Sequence, residues 1–197
     1  YYAMISHVDK RVGNIIQTLK DNGLYENTII IFAGDNGLAV GQHGLMGKQN
    51  VYEHSVGVPL MIKAAAQHTG KKTADLCYLI DVFPTLCDML QLPVPQSVDG
   101  ISLLSSLDGK EPVRDYLYYS YMDNQRGISD GTWKLIEYHV NGKRTTQLFN
   151  LKNDPWERND LSGQKKYEKT IQRLREKMAE EQKRTNDTSV FWNNFNY

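Results

Sequence analysis

No stretch of the 197 residues approaches the ~20 consecutive apolar positions that a membrane-spanning helix needs, so no spanning helix is expected. Neither charge sign is in excess: Lys plus Arg and Asp plus Glu both total 23. A chain with no net field has no long-range attraction for nucleic acid or for an anionic membrane surface. Cysteine is scarce, with Cys77 and Cys87 in an apolar stretch that reads on into a helix. At ~1.5 Å rise per residue they lie too far apart to bridge, so two buried free thiols are expected. There is no internal repeat, no low-complexity tract, and no signal or transit pattern at the start. The chain opens Tyr1-Tyr2-Ala3, already inside an amphipathic pattern, and is expected to be a piece of something longer.

What is present is the balance of a globular protein with one core, 40% hydrophobic and 23% charged. Ile5, Val8, Val12, Ile15, Ile16 and Leu19 recur at helical spacing and predict a helix over 3–20, ended by Asn22-Gly23. The β-branched run Thr28 to Ala33 reads as a parallel strand buried on both faces, and Val58 to Ile62 as another short strand. Leu76 to Ile80 is a third apolar run; Asp81 before Pro84, Leu86, Met89 and Leu90 suggests a capped helix. Pro93-Val94-Pro95-Gln96-Ser97 marks a composition shift, placing an α/β region at 1–92 and a smaller α+β region at 93–197. In the latter, runs at 116–121, 132–139 and 145–151 are separated by turn-forming Gly127, Gly131 and Asn141-Gly142 and predict a small antiparallel sheet. Tyr167, Ile171, Leu174 and Met178 give one more amphipathic helix, followed from Thr185 by a polar tail with scattered aromatics.

The chemistry concentrates in one stretch. Gly34-Asp35-Asn36-Gly37 ends the first strand, where open α/β sheets bind ligands, and the loop over 38–57 carries His43 and Lys48 among glycines. A carboxylate beside an amide oxygen suits a hard divalent cation, although two ligands fall short of the ~6 to 8 oxygens calcium takes. Taken singly, Asp-Asn-Gly is an ordinary turn, a loop histidine is usually silent and a lone lysine is a solvated charge. Their gathering in one loop lets a metal, an imidazole and an ammonium converge on an anion.

Gly-Asp-Asn-Gly, then Gly-Gln-His-Gly-Leu-Met-Gly-Lys, then Tyr-Glu and Val-Pro-Leu-Met-Ile resembles the second metal-binding motif of the type I, formylglycine-dependent sulfatases of the alkaline phosphatase superfamily. The likeness continues through Asp81-Val82-Phe83-Pro84-Thr85-Leu86, Asp99-Gly100-Ile101 and Gly131-Thr132-Trp133-Lys134-Leu135-Ile136 to the segment Gln147 to Glu157. It implies the carboxyl-terminal portion of an alkaline phosphatase-like fold: a partial mixed sheet flanked by helices, plus a small antiparallel subdomain with a helix. It also implies Asp35 and Asn36 as ligands of one Ca²⁺, Lys48 on the sulfate and its leaving oxygen, and His43 near the sulfate pocket. Asn150, Asp154 and Glu157 read as turn and capping residues. Tyr118, Tyr119, Tyr121, Trp133 and Tyr138 read as packing aromatics rather than a carbohydrate platform.

Departures from the pattern are Gly57, where an arginine is common, and Ala64-Ala65-Ala66 in place of a Pro-Gly turn. Neither cysteine begins a Cys-x-Pro-x-Arg motif, so the formylglycine, the first metal-binding aspartates and the remaining ligands are expected upstream. The resemblance thus implies a sulfuric ester hydrolase acting on sulfated carbohydrate or aryl sulfate, in an exported or lysosomal setting, with these residues inactive alone. The sequon Asn186-Asp187-Thr188 adds little to that setting. The upstream half of the same protein is the expected partner, and self-association is expected where its absence leaves strand edges open. Competing readings are a phosphoesterase of the same superfamily and a non-catalytic module that binds sulfated glycans.

Overall fold

A computed structural model describes residues 1–64 and 70–194; Ala65 and Ala66 of the Ala64–Ala66 departure lie outside the described residues. The chain divides into two compact units, one of residues 1–32 and 60–72 and one of 33–59 and 73–197.

In the first unit, helix α1 spans Tyr2–Asp21 and stops where the sequence says it should. Gly23 takes φ +68, Leu24 N–H reaches back to Leu19 O (2.9 Å) and Gly23 N–H to Lys20 O (3.0 Å), the paired bonds of a glycine-ended helix. None of its residues is buried, and Ile5, Val8 and Ile15 are at least half exposed. Among the described residues, strand β1, Ile30–Ala33, pairs only with β2, Leu60–Lys63. The expectation of a strand buried on both faces is corrected: β1 is half-buried at Ile30 and Ile31 and exposed at Phe32 and Ala33. A two-stranded ribbon gives it one neighbour and no second layer, so β-branched composition alone does not bury it. Lys63 Nζ ties β2 to the turn before β1 through Tyr25 O (2.6 Å) and Thr28 O (3.3 Å).

The second unit is built on a four-stranded antiparallel sheet in the order β3-β4-β5-β6. A one-turn helix α2, Glu53–Val56, precedes it, as do α3, Val82–Met89, and α4, Leu104–Leu107. The strands are β3 Leu117–Tyr121, β4 Gln125–Ser129, β5 Trp133–Val140 and β6 Lys143–Asn150, and helix α5 follows at Glu168–Arg184. Three strands match the sequence reading. The fourth, β4, was hidden because Gly127 reads as a turn former yet sits mid-strand, paired with Tyr119 and Ile136. A Cβ on Gly127 would meet Val51 at 3.5 Å, an ordinary contact, so the strand here is set by its pairing on both sides. Asn141 and Gly142, both at positive φ, turn β5 into β6 as a two-residue hairpin turn does.

Period-two alternation then gives the sheet two working faces. Ile128, Leu135 and Leu148 bury against Ile171, Leu174 and Met178 of α5, with Tyr118 and Trp133 packed alongside. On the other face Ile136 and Phe149 bury against Val51 and Tyr52, with Tyr119, Tyr121 and Tyr138 beside them. The aromatics are packing residues, as read.

Two expectations change. Asp81 precedes α3 but does not cap it; it is fully buried, accepts from Tyr78 N (2.6 Å) and Ile101 N (2.9 Å), and pairs with Arg114. Residues 186–192 of the polar tail pack back on the sheet, which its composition did not announce. Asp187 accepts from Arg126 Nε (2.6 Å), Tyr118 Oη (2.6 Å) and Trp192 Nε1 (3.1 Å), and Phe191 is wholly buried. Cys77 is half-buried, Cys87 buried, and both are free thiols. Among the described residues no helix is long and apolar enough to cross a membrane.

Candidate functional site

The Asp-Asn-Gly turn takes its shape from a close backbone crossing. Gly37 N–H and Asn36 Nδ2 both donate to Ser55 O, at 2.9 and 3.1 Å. A Cβ at Gly37 would lie 2.0 Å from His54 O, so only glycine fits. Because Nδ2 of Asn36 is engaged, its Oδ1 is the acceptor left for a ligand. Asp35 stands in solvent, and the Asn36 N–H together with Lys48 holds its carboxyl below the ordinary range, so it is ionised at neutral pH. Lys48 Nζ lies 3.4 Å from Asp35 Oδ2.

Between them the chain doubles back. Ala39 N–H bonds to Gly47 O (2.8 Å) and Gly41 N–H to Leu45 O (2.9 Å), with Gly41 and Gly44 at positive φ and Ala39 buried. This returns Lys48 to Asp35. His43, itself at φ 54, is brought to a different group. Its ring stacks on Tyr52 at 4.0 Å and lies 5.5 Å from His54, and its Nε2 is 3.1 Å from Trp156 O. A carbonyl oxygen only accepts, so Nε2 carries a proton and Nδ1 is the ring nitrogen that this contact leaves over. Burial first, with smaller contributions from neighbouring His43 and Lys134, pushes His54 below the usual histidine range.

The loop is held from below by residues that sequence reasoning did not select. Lys134, fully buried in β5, pairs with Glu53 (2.8 Å) and Glu157 (3.0 Å). Glu157 Oε2 also accepts the first N–H of α2, from Glu53 (2.5 Å), so Glu157 caps a helix remote in sequence. Its burial raises its carboxyl above the usual range despite Lys134. Asn150 and Asp154 are the turn residues expected, accepting from Asn153 N (3.1 Å) and Asn159 N (2.8 Å). The one signal that pointed to Lys134 was its phase: in Trp133 to Tyr138 it shares a face with Ile136. The contacts thus run Lys134 to α2 to Ser55 O to Asn36.

The donor set fits a hard cation in part. Asp35 and Asn36 offer an ionised carboxylate oxygen and a free amide oxygen. Among the described residues no three His, Cys, Asp or Glu side chains gather into a metal cluster.

Residues 41–184 match the family model described as N-sulphoglucosamine sulphohydrolase, C-terminal. The chain is 30% identical over 200 residues to the N-acetylglucosamine-6-O-sulfatase of Bacteroides thetaiotaomicron, covering 95% of this chain and 36% of that protein. A solved structure described as a complex with its substrate D-glucosamine-2-N,6-O-disulfate matches with a TM-score of 0.82 at 28% identity, over 97% of this chain and 41% of that one. The phosphonate monoester hydrolase of Agrobacterium radiobacter matches with a TM-score of 0.77 at 28% identity, over 91% of this chain and 40% of that one. Across three such sulfatases the chain spans 33% to 39% of the relative's length.

Proposed function

We infer, because this chain belongs to the family of N-sulphoglucosamine sulphohydrolase C-terminal regions, that it supplies one wall of the active site of a sulfuric ester hydrolase acting on sulfated carbohydrate. The observation that carries this is the juxtaposition of Lys48 with Asp35 beside the free oxygen of Asn36. A sulfuryl group spreads negative charge over its oxygens, and catalysis needs preorganised positive charge at those positions.

Each residue has a role that its geometry supports. Asp35 and Asn36 would hold a calcium-type cation as two of its ~6 to 8 oxygen ligands. Bound there, such an ion supplies positive charge toward the sulfate oxygens. Lys48, anchored against Asp35, presents its ammonium to the same oxygens and to the leaving oxygen. His43, with Nε2 engaged by Trp156 O, offers Nδ1 to accept one proton at the substrate. The nucleophile, by resemblance a formylglycine, and the remaining ligands belong to residues outside this chain. The exported setting goes with the same reading and is tested by fractionating the cells that make the protein.

Likeness to a phosphonate monoester hydrolase keeps a second ester class in the test. The test expresses the gene product that contains this chain and measures sulfate release from 6-O-sulfated glucosamine beside cleavage of an aryl phosphonate ester. Lys48→Ala is expected to reduce sulfate release by about 10² to 10³, and the 197-residue chain alone should release none. Preference for the phosphonate, or release indifferent to both Lys48→Ala and Asp35→Ala, would sink the assignment.

A further inference from the structure

Beside His43, the loop and the tyrosine-bearing face of the sheet enclose a cleft of about 650 Å³, within the ~300 to 1,000 Å³ range of small-molecule sites. One wall comes from the loop, through Gln49, Asn50 and Tyr52. The other comes from the β5–β6 hairpin, through Tyr138, Lys143 and Gln147. His43, stacked on Tyr52, and Gln49, which follows Lys48 in sequence, both line the cleft, which therefore adjoins the candidate loop.

Two amides of the lining have their oxygens engaged, while the buried Oε1 of Gln125 is an acceptor without a partner. Tyr52 Oη donates to Gln147 Oε1 (2.7 Å), and Asn50 Oδ1 accepts Tyr52 N–H (3.0 Å). Both amides therefore spend their oxygens inside the protein and keep their amino ends as donors. Lys143 stands exposed at the rim, and among the described residues no carboxylate lines the cleft. Amide donors and a cation, with no carboxylate in the lining, suit a ligand that carries oxygen acceptors and negative charge.

We propose that this cleft binds a second sugar ring, bearing a carboxylate or a sulfate, of the same polysaccharide whose sulfate ester the candidate site holds. The proposal rests on the reading given under Proposed function for its substrate class. It adds where the neighbouring ring sits and makes Lys143 and Gln147 determinants of which polysaccharide is accepted.

The experiment follows chemical-shift changes in the isotope-labelled 197-residue chain. One probe is an unsulfated glucosamine–uronic acid disaccharide, which has no sulfate for the candidate site. The second is its carboxyl-reduced form, and the third is that reduced form sulfated on the second ring. Shifts should map to Gln147, Asn50 and the β5–β6 turn. Lys143→Glu should weaken the charged probes about tenfold, near 1.4 kcal/mol, and leave the reduced one unchanged, while Lys48→Ala leaves the two unsulfated probes unchanged. Whichever charged probe binds more tightly identifies the anion that Lys143 meets. Gln147→Leu should weaken all three; if it lowers the melting temperature, the exposed Lys143 carries the test. Binding that ignores Lys143→Glu and vanishes with Lys48→Ala overturns the proposal, as does no binding of any probe. Because no turnover is read, failure of the hydrolase assignment leaves this outcome interpretable.

Discussion

Helices α1 and α5 carry the same kind of apolar stripe, yet their fates differ. α5 buries Ile171, Leu174 and Met178 against Ile128, Leu135 and Leu148, whereas α1 buries no residue. Their units differ in the same way. One is a sheet covered on both faces, by α5 and by the loop segment at Val51 and Tyr52. The other is a helix and a two-stranded ribbon whose large apolar side chains, Ile15 and Met61 among them, face solvent. An amphipathic pattern therefore specifies a face, and the partner decides whether that face becomes core. The candidate loop belongs to the covered unit. On the proposed reading, the uncovered unit awaits the rest of the catalytic domain, since apolar patches of this kind mark contact surfaces.

The sharpest way to break the covered unit is to remove the cation beneath its loop. Lys134→Ala leaves Glu157 buried, 2% exposed, with no charge partner. Breaking a buried pair by removing one member costs about 3 to 5 kcal/mol. Urea denaturation followed by the fluorescence of neighbouring Trp133 reads the loss. Without Lys134 the Glu157 carboxyl binds a proton more readily folded than unfolded, which favours the fold only below its raised folded pKa. The deficit should therefore be larger at pH 7 than at pH 5. A loss under about 1 kcal/mol would show that solvent reaches the site and that the loop is not held from this side.

How much of this was legible depends on whether the deciding contacts are local. The ends of α1, the Asn141-Gly142 hairpin and three of four sheet strands follow from period and turn chemistry, which neighbouring residues write. β4 did not, because Gly127, a turn former by type, lies mid-strand between Tyr119 and Ile136, and that pairing is not written in its sequence neighbours. The meeting of Asp35 and Lys48 was readable as a motif, but the hold on Asn36 by Ser55 O and the support from Lys134 were not. A lysine in a strand announces exposure; only the opposing carboxylates of Glu53 and Glu157 make it core. The burial of Arg126 and Phe191 was hidden for the same reason, since both depend on the chain returning after α5.

That return contact supplies a smaller effect with a defined pH signature. Burial pushes the Asp187 carboxyl up, but hydrogen bonds from Arg126, Tyr118 and Trp192 outweigh it and hold the carboxyl well below its ordinary value. A depressed carboxyl contributes stability that is present above the unfolded pKa, near ~3.9, and lost as pH falls through the folded one. Asp187→Asn should cost about 1.5 to 3 kcal/mol at pH 7, the range for hydrogen bonds to charged groups, and less as the solution is acidified toward pH 3. Equal losses at both pH values would mean that the contact acts through packing of Phe191 and not through charge.

The smallest effect is expected where the pattern looks as strong as in α5. Ile15 lies on the stripe of α1 and is 63% exposed, so Ile15→Ala removes little buried surface. Its effect on the stability of the isolated chain should fall within about 0.5 kcal/mol, read by the loss of helical circular dichroism on heating. In the same position of its own stripe, Leu174 of α5 is wholly buried, so the two substitutions differ in context more than in chemistry. A larger loss at Ile15 would mean that something covers the stripe in solution. Repeating the melt across a range of protein concentrations identifies it: a deficit that grows with concentration makes the cover a second copy of this chain, and one that does not places the cover within the chain itself.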